Sequence, residues 1–215
     1  MRSKFGQIYH SQLHRSQIKE AAPEPAAKRA KVIICVGTIG FRKGQTILAE
    51  AFSRIAPEFP EWKLALIGRH GEEELVAVIK SIISRSNLAE RILLLDKCSH
   101  DEVNHWMRTA AIFAMPSFFE GLGLSLQEAL FHGCACIGSA AGGITDLLQN
   151  DANGILVERG NVAQLAEGLR KLMGSEALRE RFGQAGRQSI IRKEMFVENM
   201  VEKYDRLYEK IRSAG

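Results

Sequence analysis

Two glutamates, Glu120 and Glu128, stand eight residues apart with Gly121 and Gly123 between them. An ionised carboxylate accepts several hydrogen bonds at once, which suits the vicinal hydroxyls of a ribose or hexose. Glu120 reads as a loop residue, and Glu128 falls one turn into the helix that follows. Ser125-Leu126-Gln127-Glu128 also fits the Ser-x-x-Glu pattern of a capping box, so Glu128 reads equally as a hydroxyl ligand or as part of a helix cap. A second constellation is Arg42 and Lys43, just ahead of Gly44. An arginine fork beside a lysine point charge can clamp a diphosphate, and a solvated basic pair accounts for them equally. Glycine-rich turns recur at Gly37-Thr38-Ile39-Gly40, Gly68-Arg69-His70-Gly71, Glu120-Gly121-Leu122-Gly123 and Gly142-Gly143. Glycine lets backbone approach a ligand closely, and amides at a helix N-terminus receive phosphate. Any one of these is an ordinary turn; four together favour an anionic ligand.

The elements that must position these residues are legible as a pattern. Short apolar runs at 32–36, 64–67, 92–95, 111–115, 135–137 and 155–157 have the continuous hydrophobicity of strands buried on both faces. Helical patterns follow at about 44–55, 72–86, 99–109 (with Ser99 as cap), 125–131 and 143–148, and three more helices run to the end. This alternation predicts an α/β fold, a doubly wound, Rossmann-like parallel sheet of about six strands. Right-handed crossovers then place loops 37–44, 68–72, 96–99, 116–125 and 138–144 on one edge, where such sheets bind ligands. Phe5, Ile8, Tyr9, Leu13 and Ile18 recur at roughly helical spacing, and Pro23 and Pro25 mark a linker. The chain therefore divides into a helix-and-linker segment, 1–30, and one domain, 31–215.

Composition narrows the function classes. The 215 residues are 46% hydrophobic with 29 basic and 25 acidic side chains, net +4, which excludes a disordered chain or a disulfide scaffold. The charges are interspersed, unlike the concentrated basic face of a nucleic-acid binder. No apolar run approaches the roughly 18–20 residues of a membrane span, and residues 1–7 lack an apolar signal segment, so a cytoplasmic protein is expected. Cys35, Cys98, Cys134 and Cys136 form no C-x-x-C pair and read as inert thiols. His10 and His14 read as solvated helix residues, and no D-x-D pair of carboxylates is present. Gly121-Leu122-Gly123-Leu124-Ser125-Leu126 lacks the third glycine of a dinucleotide fingerprint, and no acidic residue follows Ile67, which argues against a hydride-transfer enzyme.

The stretch Pro116-Ser117-Phe118-Phe119-Glu120-Gly121-Leu122-Gly123-Leu124-Ser125-Leu126-Gln127-Glu128-Ala129 resembles the E-x7-E signature of retaining group 1 (family 4) glycosyltransferases. The likeness continues through Gly133-Cys134-Ala135-Cys136-Ile137, Gly142-Gly143-Ile144-Thr145-Asp146, Asn153-Gly154-Ile155-Leu156-Val157 and the tail containing Phe196 to Met200, over roughly residues 31–212. The resemblance implies the C-terminal, donor-binding half of a GT-B architecture, with a nucleotide-diphosphate sugar as donor and neither metal nor other cofactor. It implies that Glu120 is catalytic, holding the donor sugar near its reacting carbon, and that Glu128 holds the ribose hydroxyls. Backbone amides of Gly121, Leu122, Gly123 and Leu124 would face the diphosphate and sugar, and Lys43 would neutralise the leaving diphosphate. The family often has Gly-Arg after the first strand where this chain has Gly37-Thr38, so Arg42 is expected to supply the missing cation. Base contacts fall to Leu95 and Asp96.

The reaction implied is transfer to an acceptor hydroxyl of a sugar, lipid or other molecule, with cations and amides stabilising the departing phosphate. The acceptor site of such enzymes lies in a preceding half. The chain is thus expected to bind donor but not to turn over alone, and to pair with a second copy through exposed apolar surface. In the full-length protein, peripheral attachment to the cytoplasmic membrane face is also expected. The alternatives are a non-catalytic nucleotide-sugar-binding or interaction module and, further off, a sugar-nucleotide epimerase.

Overall fold

The computed structural model describes residues 10–20, 23–96 and 98–213. Six strands, β1 (Ala30–Val36), β2 (Lys63–Ile67), β3 (Ile92–Leu95), β4 (Ala110–Met115), β5 (Ala135–Ser139) and β6 (Ile155–Val157), form one parallel sheet. Their spatial order is β3-β2-β1-β4-β5-β6, so the winding reverses between β1 and β4. The helices among the described residues are α1 (Gln17–Glu20), α2 (Gln45–Ile55), α3 (Glu73–Arg85), α4 (His100–Thr109), α5 (Leu124–Phe131), α6 (Ile144–Leu147), α7 (Val162–Gly174), α8 (Glu176–Arg192) and α9 (Val197–Ser213).

The apolar runs are continuous because both sheet faces are covered. Along β1, Ile33 and Cys35 enter one core with Leu48 and Phe52 of α2, Ile79 of α3 and Leu169 of α7. Ile34 enters the other with Leu126 and Leu130 of α5 and Ile190 of α8. The doubly wound α/β sheet expected from the sequence is the observed fold. Ser99 caps α4 as expected: its hydroxyl accepts from the Glu102 amide at 3.2 Å while the Glu102 carboxylate takes the Ser99 amide at 2.7 Å. Cys35, Cys134 and Cys136 are buried free thiols, and burial pushes Cys35 up to about 12.

The segment before the sheet differs from its expectation. Residues 5–9 of the amphipathic helix lie outside the described residues; of the remainder, only Gln17–Glu20 is helical. Leu13 instead sits in the second core at 2% exposure, and its carbonyl accepts the Val197 amide at 2.8 Å. The stretch read as a linker contains a 3-10 turn at Ala26–Lys28 and a buried Arg29. Arg29 spends its donors on carbonyls, those of Ala110 (2.8 Å), Met107 (3.2 Å), Glu24 (3.0 Å) and His132. Arg187 likewise donates to the Phe131 carbonyl at 2.5 Å, so two cations meet the C-terminal end of α5, where the helix dipole favours them.

Between these cations lies His132. Burial first, then the charges of Arg108, Arg29 and Arg187, pushes its imidazole down to about 4. The ring is therefore neutral in the fold at pH values where the unfolded chain, at about 6.5, already protonates it. A depressed pKa of this kind contributes stability that is present above about pH 6.5 and lost as pH falls towards 4, by at most about 3 kcal/mol. His132→Gln is expected to flatten the loss of stability between pH 6.5 and 4 in urea titrations; an unchanged slope would assign that acid limb to other groups.

Candidate functional site

The site forms at the carboxyl ends of the paired strands β1 and β4, where the winding reverses and loops from three strand ends fit against one another. Gly44 has φ +68°, and a Cβ at that position would stand 2.2 Å from the Pro116 carbonyl oxygen. Gly142 has φ +49°, and a Cβ there would stand 2.0 Å from the Glu120 carbonyl oxygen. Next to it the Gly143 amide donates to the carbonyls of Gly121 (3.0 Å) and Glu120 (3.3 Å). Between these contacts the Phe118 amide donates to the Arg42 carbonyl at 2.9 Å, and the rings of Phe41 and Phe118 stack with centroids 4.7 Å apart. The loop before α5 is thus pressed against the loop after β1.

That approach joins two residues 77 positions apart in sequence. Lys43 Nζ lies 2.7 Å from Glu120 Oε2, with the side chains only 18% and 10% exposed. Glu128 faces the same cleft, about 450 Å³ in volume, which Leu122, Gly123 and Leu124 also line. Val36 and Gly37 close it from the end of β1. The Leu126 and Gln127 amides both donate to the Gly123 carbonyl at 3.0 Å, so the amides of Leu124 and Ser125 precede the first bonds of α5, and these two residues bring the positive end of the helix to the cleft wall.

The capping reading of Glu128 is overturned. α5 starts one residue before Ser125, its N-cap is Gly123 at φ +80°, and no side chain caps it. Glu128 is consequently available to the cleft. Burial raises its carboxyl above the ordinary range, with His100 offsetting part of the rise.

The other expected residues are distributed unevenly. Leu122, Gly123 and Leu124 line the cleft, whereas Gly121 borders it through its contact with Gly143. The Arg42 side chain is exposed and does not line the cleft; only its carbonyl takes part, in holding Phe118. Leu95 ends β3 at the edge of the sheet, with β2 between it and β1, and packs against the second core. Four lining residues were not anticipated: His10, Gln12, Val36 and Ser125. Val36 and Ser125 flank expected residues, but His10 and Gln12 arrive from an extended segment that the spacing had presented as a helix.

The sequence profile of the family "Glycosyl transferases group 1" matches residues 16–189. The chain belongs to that family. Among curated relatives of this group 1 domain, N-acetyl-alpha-D-glucosaminyl L-malate synthase of Bacillus anthracis is 28% identical over 180 residues, covering 83% of the chain and 45% of the relative. An uncharacterized glycosyltransferase of Methanocaldococcus jannaschii is 30% identical over 153 residues, covering 71% and 41%. The chain spans less than half the length of each. Among solved structures, the C-terminal domain of a group 1 glycosyl transferase from Francisella tularensis superposes with a TM-score of 0.72 at 25% identity, covering 87% of this chain and 96% of that one. Anabaena HepE in complex with UDP-glucose gives a TM-score of 0.78 at 21% identity over 96% and 57%, a likeness of fold. The group 1 domain therefore has the architecture of one half of a GT-B glycosyltransferase.

Two outcomes follow for the site. Gly142→Ala forces a Cβ into the Glu120 carbonyl at a left-handed backbone position, and should cost at least about 2 kcal/mol, about 4–8 °C in thermal melting. Glu128→Gln removes a carboxyl whose raised pKa costs stability as pH rises through it. That variant should melt at or above the parent at pH 7.5, with the gap closing below the ordinary carboxylate range of about 4.3. A lower melting temperature for Glu128→Gln at pH 7.5 would contradict the assignment.

Proposed function

We propose that the group 1 domain is the C-terminal, donor-binding half of a retaining family 4 glycosyltransferase, which moves a sugar from a nucleotide-diphosphate sugar to an acceptor hydroxyl. The observation that carries this reading is that the Lys43–Glu120 pair and Glu128 line one cleft at the carboxyl ends of the parallel strands. HepE, which shares the fold, is known in complex with UDP and glucose and with UDP-glucose, and this supports a nucleotide sugar as the ligand class. Residues 1–30 are read as the segment that precedes this domain, 31–215.

In this reading the diphosphate meets Lys43 and the N-terminal amides of α5, and Glu128 accepts hydrogen bonds from ribose hydroxyls. Glu120 receives the sugar next to its reacting carbon. As the bond from the anomeric carbon to the diphosphate breaks, negative charge grows on the leaving phosphate. A lysine and fixed amide dipoles stabilise that charge at the moment it develops, and in many enzymes such preorganised electrostatics provide most of the rate enhancement. They supply the countercharge that a metal ion provides in other transferases, and the reaction is proposed to proceed without one. The acceptor (a sugar, a lipid or another hydroxyl) binds in a preceding half, without which the domain retains donor binding and loses turnover. Exposed Phe41 and Phe119 lie beside the cleft loops and form the face towards that half; two isolated domains pair through it. The enzyme works in the cytoplasm, at the membrane face when its acceptor is a lipid.

The exposed Arg42 side chain favours a second reading, a module that binds nucleotide sugar without catalysis, because one of the two expected cations is absent from the cleft. Calorimetry with UDP, GDP, ADP and their sugars is expected to find binding to one nucleotide series, weakened about tenfold or more by Lys43→Ala. Adding an acceptor half in trans restores transfer under the first reading and not under the second. Absence of nucleotide binding, or vigorous transfer by the domain alone, would overturn the proposal.

A further inference from the structure

One wall of the cleft comes from a stretch that precedes the sheet. In the 10–13 stretch inward and outward residues alternate, as in extended chain: Ser11 and Leu13 are buried, His10 and Gln12 are exposed and line the cleft. The backbone of this stretch is held from several directions. Gln127 Nε2 donates to the His10 carbonyl at 3.4 Å, Ser11 Oγ donates to the Met195 carbonyl at 2.8 Å, and the Val197 amide donates to the Leu13 carbonyl at 2.8 Å. The following residues extend the attachment along α9, with His14 Nδ1 3.0 Å from Glu198 Oε1 and Arg15 Nη2 2.9 Å from Glu202 Oε1. His10 is itself engaged there, its Nε2 lying 3.3 Å from the Tyr204 hydroxyl.

Gln12 is different. Its backbone is fixed by its neighbours, its amide carries two donors and an acceptor, and no group among the described residues satisfies them. The same cleft holds carboxylates and a lysine, groups that suit hydroxyls and phosphate; a neutral amide adds side-by-side donor and acceptor for a sugar hydroxyl pair or a base edge. Resting on the donor-site reading of this cleft, we infer that Gln12 is a donor-positioning residue, hydrogen-bonding the nucleotide sugar from the segment that precedes the sheet. The segment 10–13 is then part of the binding site, and α9 sets where its wall stands.

The test uses the 215-residue chain with Gln12→Ala and Gln12→Glu, titrated calorimetrically with UDP, UDP-glucose, GDP, GDP-mannose, ADP and ADP-glucose, and Lys43→Ala as reference. Gln12→Ala should weaken the best-bound probe about 5- to 20-fold, the loss expected for one or two hydrogen bonds, with an unchanged melting temperature. Gln12→Glu keeps an acceptor but sets a negative charge against the diphosphate, and should weaken binding further, most of all at low salt. A loss confined to sugar nucleotides places Gln12 on the glycosyl half, and an equal loss for free diphosphates places it on the nucleoside half; either supports the inference. Parent-like binding by Gln12→Ala alongside a loss for Lys43→Ala overturns it and leaves the donor reading standing. Failure of the parent chain to bind any of the six probes overturns both.

Discussion

The contact on which the site rests is the shielded ion pair between Lys43 and Glu120. A pair this far from water interacts more strongly than the surface pairs of the same chain, such as Lys31 with Glu61, which stay about half exposed. It exists only because two backbone segments come closer than side chains allow. At Gly44 and Gly142 the space that a Cβ would need is occupied by carbonyl oxygens of Pro116 and Glu120. The glycine-rich turns of this sheet edge are therefore structural seats, whatever part they take in binding. Their absence of side chains is what lets a cation after β1 meet a carboxylate after β4.

Sheet order does the rest. Reversal of the winding between β1 and β4 opens a crevice at that point, and the two strands that flank it deliver Val36, Gly37 and the Glu120 loop. α5 then turns its N-terminus to the crevice without a side-chain cap, which leaves Glu128 to the cleft rather than to the helix.

Much of this was legible in the sequence, for identifiable reasons. The six strands show as uninterrupted apolar runs because both faces of the sheet are buried, and Ser99 with Glu102 announces α4 through a local hydrogen-bond pattern. Residues whose role depends on three-dimensional neighbours were harder. Arg42 and Lys43 look alike as a pair, yet consecutive residues of a short turn project differently, and only Lys43 reaches the cleft. Leu95 ends a strand as Val36 does, but the winding carries β3 to the sheet edge, which strand number along the chain does not reveal. Leu13 and Ile18 fit a helical period, while the stretch around Leu13 obeys a period of two; with so few apolar residues the two patterns coincide, and the burial of Leu13 in the second core, with its carbonyl held by the Val197 amide, decides between them. Glu128 was ambiguous because a Ser-x-x-Glu pattern shows no helix start by itself, and the left-handed Gly123 moves that start ahead of Ser125.

The guanidinium groups at the rear of α5 have a mechanical meaning. Arg29 and Arg187 fasten the carbonyls of His132 and Phe131, so this two-turn helix behaves as a strut braced at its back end. In the donor-binding role proposed for this cleft, an anion arriving at the front would pull on amides that are already anchored through the helix to two buried cations. Under that proposal the braced strut would have little room to recoil or realign as charge builds up before it, and little reorganisation would be left for that moment.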